Sequence, residues 1–185
     1  RRAVVDAIPD TPNPTRRKKE LDEAVGATAF GFNLYEAAPG EQVPWGYHRH
    51  PDHEELFYVL SGSVVVETAD GEIELGAGEA LFVPPDAPNR ARAVGEEPAR
   101  LIAVGAPKSA DDSRISEPCP ACGAETDRTY EDRGDVYVLS CAACGAETTR
   151  FGAGPSETEP ASPLADSDRS KTPTDQRDVW PRSSN

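Results

Sequence analysis

The residues that decide the interpretation of this chain are HRHPDHEELFYVLSG, positions 48–62, which contain the three histidines of the 185-residue sequence. Successive side chains of a β-strand alternate between its two faces, so His48 and His50 would present two imidazoles side by side. Glu54 or Glu55, on the strand that follows, would add a carboxylate. Two histidines and one carboxylate with open positions are typical of non-haem iron and also suit Mn, Ni, Co or Zn. The stretch therefore predicts a divalent metal centre, and a hydrogen-bonded polar pocket without metal is the alternative.

Short apolar or alternating runs surround this stretch from position 28 to position 106, among them AFGFNLYEA, SVVVETA, EALFVP and RLIAVGA. Pro-Gly, Ser-Gly and Asp-Gly pairs separate the runs. Short strands separated by a turn about every eight to twelve residues predict an antiparallel β-sandwich or β-barrel. We expect no helix to interrupt it. By strand alternation alone, Asn33, Tyr35 and Phe57 would line a ligand pocket inside it.

Two motifs give this region a family resemblance. HRHPDHEELFYVLSG resembles the first motif of the cupin superfamily, with its metal ligands at His48, His50 and Glu55, and GEALFVPPDAPN, residues 78–89, resembles the second. The resemblance implies a small jelly-roll β-barrel over residues 28–106, whose mouth holds a divalent metal such as Fe, Mn, Ni or Zn. It also implies a homodimer, and an oxygenase or an isomerase as the activity.

One departure from the family pattern concerns the fourth metal ligand. Asn89 stands where the second motif usually has a histidine. An amide oxygen is a weaker donor than imidazole for late transition metals, but it can still complete the set. His53, in the connection between the two strands, is expected to face solvent. The alternative to Asn89 as the fourth metal ligand is His53.

All four cysteines of the chain lie in two Cys-x-x-Cys pairs, Cys119/Cys122 and Cys141/Cys144, with 18 residues between the pairs. This spacing predicts a four-thiolate zinc site, and residues 117–151 resemble a zinc ribbon. A module of about 35 residues cannot bury enough apolar surface to fold alone, so it needs a metal or two disulfides. Four protein ligands leave no open position, so we expect a structural zinc. We also expect the ribbon and the barrel to have separate cores.

Acidic residues outnumber lysine and arginine by 33 to 19, which gives a formal net charge of −14. Such an excess resembles the surface of halophilic proteins, in which molar salt screens the repulsion between carboxylates, and an ordinary acidic protein is the alternative. The charge disfavours a nucleic-acid partner, because phosphate contacts need an excess of basic residues. No stretch approaches the roughly 20 apolar residues of a membrane span and no leader is recognisable, so we expect a cytoplasmic protein without membrane contact.

Three segments lie outside the two modules. Residues 1–27 form a lead-in whose basic run, residues 16–19, receives no assigned function. Residues 107–116 form a polar linker. Residues 152–185 are rich in Pro, Ser, Thr and Asp, and we expect this acidic tail to be disordered. Trp180, its only large aromatic residue, is a weak candidate for docking to a partner.

The sequence as a whole predicts an all-β chain: a cupin-type jelly-roll β-barrel, a zinc ribbon and a disordered acidic tail. The expected function is to bind a small polar molecule, anionic or hydroxylated, beside a metal at the barrel mouth. The alternatives are a non-catalytic binding or regulatory module that acts on a protein partner through ribbon or tail, and a scaffold protein. No general base is identifiable from sequence, so an enzyme assignment rests on the resemblance alone.

Overall fold

The computed structural model describes residues 1–110, 113–115 and 117–152. The N-terminal part has a 3-10 turn, Val5–Ala7, a strand and a short helix, β1 (Arg17–Glu20) and α1 (Leu21–Val25). Eight strands follow: β2 (Gly31–Ala37), β3 (Gln42–Arg49), β4 (Glu54–Ser61), β5 (Ser63–Thr68), β6 (Gly71–Gly76), β7 (Ala80–Val83), β8 (Asn89–Val94) and β9 (Ala99–Ala106). After a second 3-10 turn, Lys108–Ala110, come β10 (Arg114–Ile115), β11 (Glu117–Pro118), β12 (Glu125–Thr126), β13 (Arg128–Asp132), β14 (Val136–Cys141) and β15 (Glu147–Gly152).

Ten of these strands form two five-stranded antiparallel sheets. The first sheet has the order β1-β2-β9-β4-β7 and the second the order β10-β3-β8-β5-β6. This is an all-β arrangement consistent with a jelly roll. The predicted closed barrel is wrong, because among the described residues no backbone ladder joins an edge of one sheet to an edge of the other. The two sheets are instead held together by the side chains that fill the space between them.

The core between the sheets follows the predicted alternation. Every second residue of the central strands points inward, as with Phe57 and Val59 on β4 and Leu101 on β9, each with at most 1% of its surface exposed. Burial of a side chain of this size contributes about 1.5–3 kcal/mol. The same parity that buries Phe57 also directs Glu55 inward, so one strand supplies both the core and the polar site.

The first sheet begins earlier in the chain than the sequence indicates. β1, in the predicted lead-in, pairs with β2 so that Lys18 lies opposite Tyr35. Lys18 and Lys19 are both buried, and each ammonium has a partner: Glu20 for Lys18, and the Ile8 carbonyl oxygen for Lys19. A charged four-residue strand has no alternating apolar pattern, which is why the sequence did not reveal it.

The predicted linker is also partly ordered. β10 adds to the edge of β3, with Arg114 opposite Arg49 and Ile115 opposite His48. The ribbon beyond it consists of a two-stranded sheet, β11-β12, and a three-stranded sheet, β13-β14-β15. Its apolar cluster contains Ile115, Leu139, Phe151 and, half-buried, Tyr137. The apolar clusters of sandwich and ribbon share no residue, as expected, although Ile115 of the ribbon cluster lies on a strand of the second sheet.

Two further sequence expectations concern residues outside the described part of the chain. The predicted tail, residues 152–185, lies outside them except for Gly152, which ends β15. Trp180 is likewise outside. Among the helices of the described part, none has the length and apolar character that a membrane span requires.

Candidate functional site

Two strands place the predicted metal ligands at one end of the sandwich. His48 lies near the end of β3, opposite Asn89 of β8, and His50 follows directly after β3. Glu55 is the second residue of β4. The imidazoles of His48 and His50 are buried, with ring centroids 5.1 Å apart. Strand alternation thus brings both histidines to the same face, as the sequence indicates.

The ligand atoms of these three residues converge. The distances from Glu55 to the histidines are 3.7 Å between Oε2 and His48 Nε2, and 3.4 Å between Oε1 and His50 Nε2. One ligand atom from each of the three residues lies within 4.8 Å of the others, which is close enough to share one ion. Two imidazoles and one carboxylate with further positions open are a donor set that first-row transition metals accept.

The protonation of His48 supports a cation between these groups. Its Nδ1 lies 3.0 Å from the carbonyl oxygen of Gly46, which can only accept, so Nδ1 carries the hydrogen. In the neutral imidazole, Nε2 then turns a lone pair toward the Glu55 carboxylate. Nε2 is buried and has no hydrogen-bond donor within the described part of the chain. Two acceptors that face each other need a cation or a proton between them, and the hydrogen-bonded Nδ1 is the arrangement usual for a metal-binding histidine.

The charge state of Glu55 fits the same role. Burial alone would raise the pKa of Glu55, but positive charge at His48 and His50 outweighs it and holds the pKa well below its usual range; a cation shared by the three groups would supply the same positive charge. Glu55 is therefore a carboxylate at neutral pH. A buried carboxylate is stable only with positive or hydrogen-bonding partners around it.

Asn89 meets the site through its amide nitrogen. Nδ2 donates a hydrogen bond of 3.2 Å to Oε2 of Glu55, while Oδ1 is buried and without a hydrogen-bond partner among the described residues. The side chain is 1% exposed, so it cannot turn freely. In this orientation the nitrogen of Asn89, rather than its oxygen, faces the Glu55 carboxylate and holds it in place.

A cavity of about 130 Å³ opens beside the three ligands. Its wall includes Asn33 and Tyr35 of β2 and Phe57 of β4, the three residues that alternation places there. The remaining lining residues come from strands β1 to β4, from β9 and from the connections: Lys18, Gly31, Pro44, His48, His50, His53, Glu55, Ala103, Val104, Gly105 and Ser113. The cavity lining thus combines polar side chains with apolar ones such as Phe57 and Ala103.

His53 lies in this cavity, and the expectation that it faces solvent is wrong. Its side chain is buried, its Nδ1 donates to the carbonyl oxygen of Pro107 at 3.1 Å, and its ring centroid is 4.8 Å from that of His50. The ring fits because position 105 is glycine: a Cβ atom on Gly105 would lie 1.8 Å from His53 Nε2. A glycine inside the strand RLIAVGA indicates such a close approach, and this was the available sequence clue.

Lys18 is the second cavity residue that sequence reasoning missed. It reaches the cavity because β1 pairs with β2, and its Nζ forms an ion pair of 2.6 Å with Oε1 of Glu20. The residue is only 9% exposed. A buried ammonium beside a polar cavity favours ligands with negative charge.

The four cysteine sulfurs form a second cluster, in the ribbon. The Sγ atoms of Cys119 and Cys144 are 3.8 Å apart, and those of Cys122 and Cys141 are 3.9 Å apart. All four lie within 4.8 Å of one another. Four sulfurs at about 2.3 Å from one zinc ion would be about 3.8 Å apart in a tetrahedron. The cluster therefore has the dimensions of a tetrahedral metal site, and the cysteines are free thiols rather than disulfides.

The thiols differ in acidity. A hydrogen bond from the Thr126 hydroxyl, aided by backbone amides, lowers the pKa of Cys141 to about 6. The Ala124 amide would lower the pKa of Cys122 as well, but the neighbouring sulfurs outweigh it and raise that pKa to about 11. Four sulfurs so close together cannot all ionise unless a cation lies among them. A bound metal ion would supply that positive charge.

Comparison with known proteins finds a domain match within the sandwich. Residues 33–105 match the family model described as Cupin domain. The chain is 35% identical over 103 residues to "Polyketide synthase CurC" of Streptomyces cyaneus, a match that covers 54% of this chain and 66% of that protein. It is 38% identical over 79 residues to "Tetracenomycin polyketide synthase protein TcmJ" of Streptomyces glaucescens, covering 43% of this chain and 52% of that protein.

A solved structure of a polyketide cyclase has a similar fold. The polyketide cyclase RemF of Streptomyces resistomycificus superposes with a TM-score of 0.52 at 25% identity, covering 62% of this chain and 84% of that one. The chain spans between 52% and 66% of the length of the curated relatives that it matches.

Proposed function

From the premise that residues 33–105 are a cupin domain, we propose that this chain is a metal-dependent cupin enzyme of the isomerase or cyclase type. Its substrate would be a small hydroxylated or carboxylated molecule. His48, His50 and Glu55 would hold a divalent transition metal, and the adjoining cavity would hold the substrate. The observation that carries the proposal is the lone pair of His48 Nε2, fixed by the Gly46 carbonyl and turned toward the Glu55 carboxylate.

The cavity residues fit a substrate with an acidic or enolisable group. A divalent metal at this position would act as a Lewis acid on a substrate oxygen. Lys18, which also lines the cavity, would balance negative charge on the substrate. His53 would accept a proton at Nε2, because its Nδ1 is committed to the Pro107 carbonyl. Asn89 would keep the Glu55 carboxylate oriented.

The size of the cavity limits the substrate portion that enters it. An engineered cavity of about 150 Å³ holds one benzene ring, so a cavity of about 130 Å³ suits a single ring or a smaller molecule. Two relatives have names that refer to polyketide synthesis, and of a substrate with several rings a single ring would be the part that reaches the metal. A phenol with an adjacent carboxylate, such as salicylate, is therefore a suitable probe.

Substitution of Lys18 tests the ligand class. Lys18→Met is expected to weaken salicylate binding to the metal-loaded protein about 10-fold or more, since a hydrogen bond to a charged group contributes about 1.5–3 kcal/mol. Binding of the neutral analogue salicylamide should change little. Isothermal titration calorimetry of both probes measures the difference.

Lys19→Met is the matched control. Lys19 is equally buried on the neighbouring position of β1, but it faces the other side and bonds the Ile8 carbonyl oxygen instead of lining the cavity. It should leave both affinities unchanged. Equal affinity of the wild-type protein for salicylate and salicylamide, or equal effects of the two lysine substitutions, would contradict an anionic substrate. Salicylate binding that does not depend on metal would contradict the metal-dependent function.

Substitution of Asn89 tests whether the metal lies where the three ligands converge. Asn89→His is expected to tighten Ni²⁺ or Zn²⁺ binding at this site by about 10-fold or more, because loss of even an outer partner of a metal ligand costs about 10- to 100-fold. Chelator competition measures the change. The control is Asn89→Ala, which removes the hydrogen bond to Glu55 and should weaken binding. An unchanged affinity in both variants would place the metal elsewhere.

For the ribbon we propose a structural zinc ion bound by Cys119, Cys122, Cys141 and Cys144. The sulfur spacing of 3.8–3.9 Å supports this, as does the small number of buried apolar residues in the module. Four cysteine ligands leave no position for a substrate, so the zinc would stabilise the ribbon rather than take part in a reaction.

A further inference from the structure

We infer that Glu117, the first residue of the ribbon, is a positioning residue for the metal ligand His48, and that the ribbon thereby sets the metal affinity of the cupin site. The inference rests on the proposed function, in that it takes His48 as a metal ligand. The connection runs through a single peptide group, the one between Gly46 and Tyr47.

This peptide group is held from both sides. Its N–H, which belongs to Tyr47, donates to Oε1 of Glu117 at 2.9 Å. Its carbonyl, which belongs to Gly46, accepts from Nδ1 of His48 at 3.0 Å. A peptide group is planar, so fixing the N–H direction also fixes the direction of the carbonyl. The Glu117 carboxylate therefore determines the orientation of the group to which His48 is bonded.

Among the described residues, neither neighbour of β3 pairs with this peptide group: β10 pairs with β3 at Arg49 and His48 only. β3 pairs with β8 at Gln42, Val43 and His48, and the register shifts between Val43 and His48. The Gly46–Tyr47 peptide lies in that irregular stretch, where the ladder with β8 gives it no partner. The Glu117 carboxylate occupies the place of the missing ladder bond. It can come so close because residue 46 is glycine: a Cβ there would lie 3.0 Å from Glu117 Oε1.

Arg90 holds the carboxylate in position. Its guanidinium lies 3.3 Å from Oε1 of Glu117 and bonds Oε2 of Glu67 at 2.6 Å. Hydrogen bonds between a backbone N–H and an ionised carboxylate are about twice as strong as neutral ones. Arg90, Glu117 and the peptide thus form a partly buried, charge-assisted support for His48.

Glu117 follows β10 of the second sheet by two residues, and the ribbon holds it from the other side. It lies two residues before Cys119, pairs with Thr126 across β11 and β12, and its backbone oxygen accepts from the Arg128 guanidinium. The Thr126 hydroxyl in turn lies 3.5 Å from Sγ of Cys141. Folding of the ribbon around its metal therefore fixes Glu117, Glu117 fixes the peptide, and the peptide fixes His48. Coupling of this kind is reciprocal between the two metal sites.

The test compares three variants of the full-length, zinc-loaded protein. Glu117→Ala removes the acceptor and is expected to weaken Ni²⁺ binding at the cupin site about 10-fold, the lower end of the range for outer partners of metal ligands. Glu117→Gln keeps an acceptor oxygen and should restore most of the affinity. Glu67→Ala removes the same charge and another partner of Arg90, but leaves the Tyr47 contact, so it should match the wild type.

Two readouts separate positioning from mere stability. Chelator competition gives the Ni²⁺ affinity, and proton–nitrogen NMR of the metal-free imidazoles reports whether His48 keeps its hydrogen on Nδ1. In Glu117→Ala, we expect a mixture of tautomers at His48 while the thermal midpoint stays within a few degrees. Unchanged affinity and an unchanged tautomer in Glu117→Ala would overturn the inference.

The outcomes also distinguish this inference from the proposed function. If the wild-type protein binds Ni²⁺ and Glu117→Ala binds it equally well, the inference fails and the metal site stands. If wild type and His48→Ala take up the same amount of metal, the metal site itself fails, and the inference with it. Cys119→Ser tests the link to the ribbon. It should lower the Ni²⁺ affinity of the cupin site at least as much as Glu117→Ala does. An unchanged Ni²⁺ affinity of that site would overturn the link.

Discussion

Removal of the metal from the four-cysteine site is expected to unfold residues 117–152 while the sandwich stays folded. The ribbon buries few apolar side chains, chiefly Leu139, Phe151 and its share of the contact with Ile115. Its free energy of folding must therefore come from metal binding, for which about 10–16 kcal/mol is typical of structural zinc. Cys119→Ser should have the same effect as a strong chelator. The loss of amide dispersion in NMR spectra, confined to the ribbon residues, measures it.

Thr149→Ser is a suitable control for this experiment. Thr149 is exposed on β15 and lies opposite Leu139, so its substitution changes the same sheet without touching a sulfur. It should leave both metal content and folding unchanged. A folded ribbon with four titratable free thiols and no metal would contradict the structural role of zinc, and disulfides between the pairs would do so as well.

His48→Ala is expected to reduce metal binding at the cupin site by at least about 100-fold, because the loss of a ligand must exceed the 10- to 100-fold cost of losing an outer partner. Glu55 would then keep a single imidazole partner, His50, at 3.4 Å. Metal analysis after dialysis against a chelator too weak to remove the ribbon zinc measures the change. The expected result is one zinc ion per chain instead of zinc plus a second ion.

His53→Ala is the matched control for His48→Ala. It removes a second buried imidazole from the same cavity, but one whose Nδ1 bonds the Pro107 carbonyl oxygen and whose ring lies against Gly105. The cupin metal should be retained. If His48→Ala and His53→Ala leave the same metal content as the wild type, the histidine cluster is a hydrogen-bonded polar pocket, which is the alternative left open by the sequence.

The convergence of His48, His50 and Glu55 was predictable because strand alternation is a strictly local property. His48 and His50 share a face by their spacing alone, and Glu55 shares one with the core residue Phe57. The cupin resemblance then selected Glu55 over Glu54, and the buried position of Glu55 agrees with that choice. The same reasoning put Asn33 and Tyr35 on the inner face of β2, where they line the cavity.

The parts that sequence reasoning missed all depend on long-range pairing. β1 and β10 are strands of four and two residues at sheet edges, rich in charge and without a periodic pattern. Lys18 reaches the cavity only because β1 pairs with β2, and Ile115 reaches the ribbon cluster only because β10 pairs with β3. A closed barrel was the wrong expectation for a related reason, because alternation predicts which face of a strand is buried but not whether the sheet edges meet.

Several expectations from charge and resemblance stay predictions. The net charge of −14 predicts a thermal midpoint that rises with molar salt. Four further expectations also stay predictions: the homodimer, the cytoplasmic location, the absence of nucleic-acid contacts and a protein partner for ribbon or tail.

The outer face of the first sheet carries exposed apolar side chains, namely Leu56, Tyr58, Leu60 and Phe82.

The two cysteine turns of the ribbon have a consequence for the rate at which it takes up metal. Cys119 N–H donates to the Ala124 carbonyl oxygen and Gly123 N–H to that of Cys119, at 2.9 and 2.7 Å. The bonds of the second turn, residues 141–146, have nearly the same lengths, 2.9 and 2.8 Å. Each turn therefore closes within six residues by its own backbone, and each offers a ready pair of sulfurs. An arriving ion can be captured by one turn first, so uptake should be limited by closure of the single loop between the turns rather than by the assembly of four separate ligands.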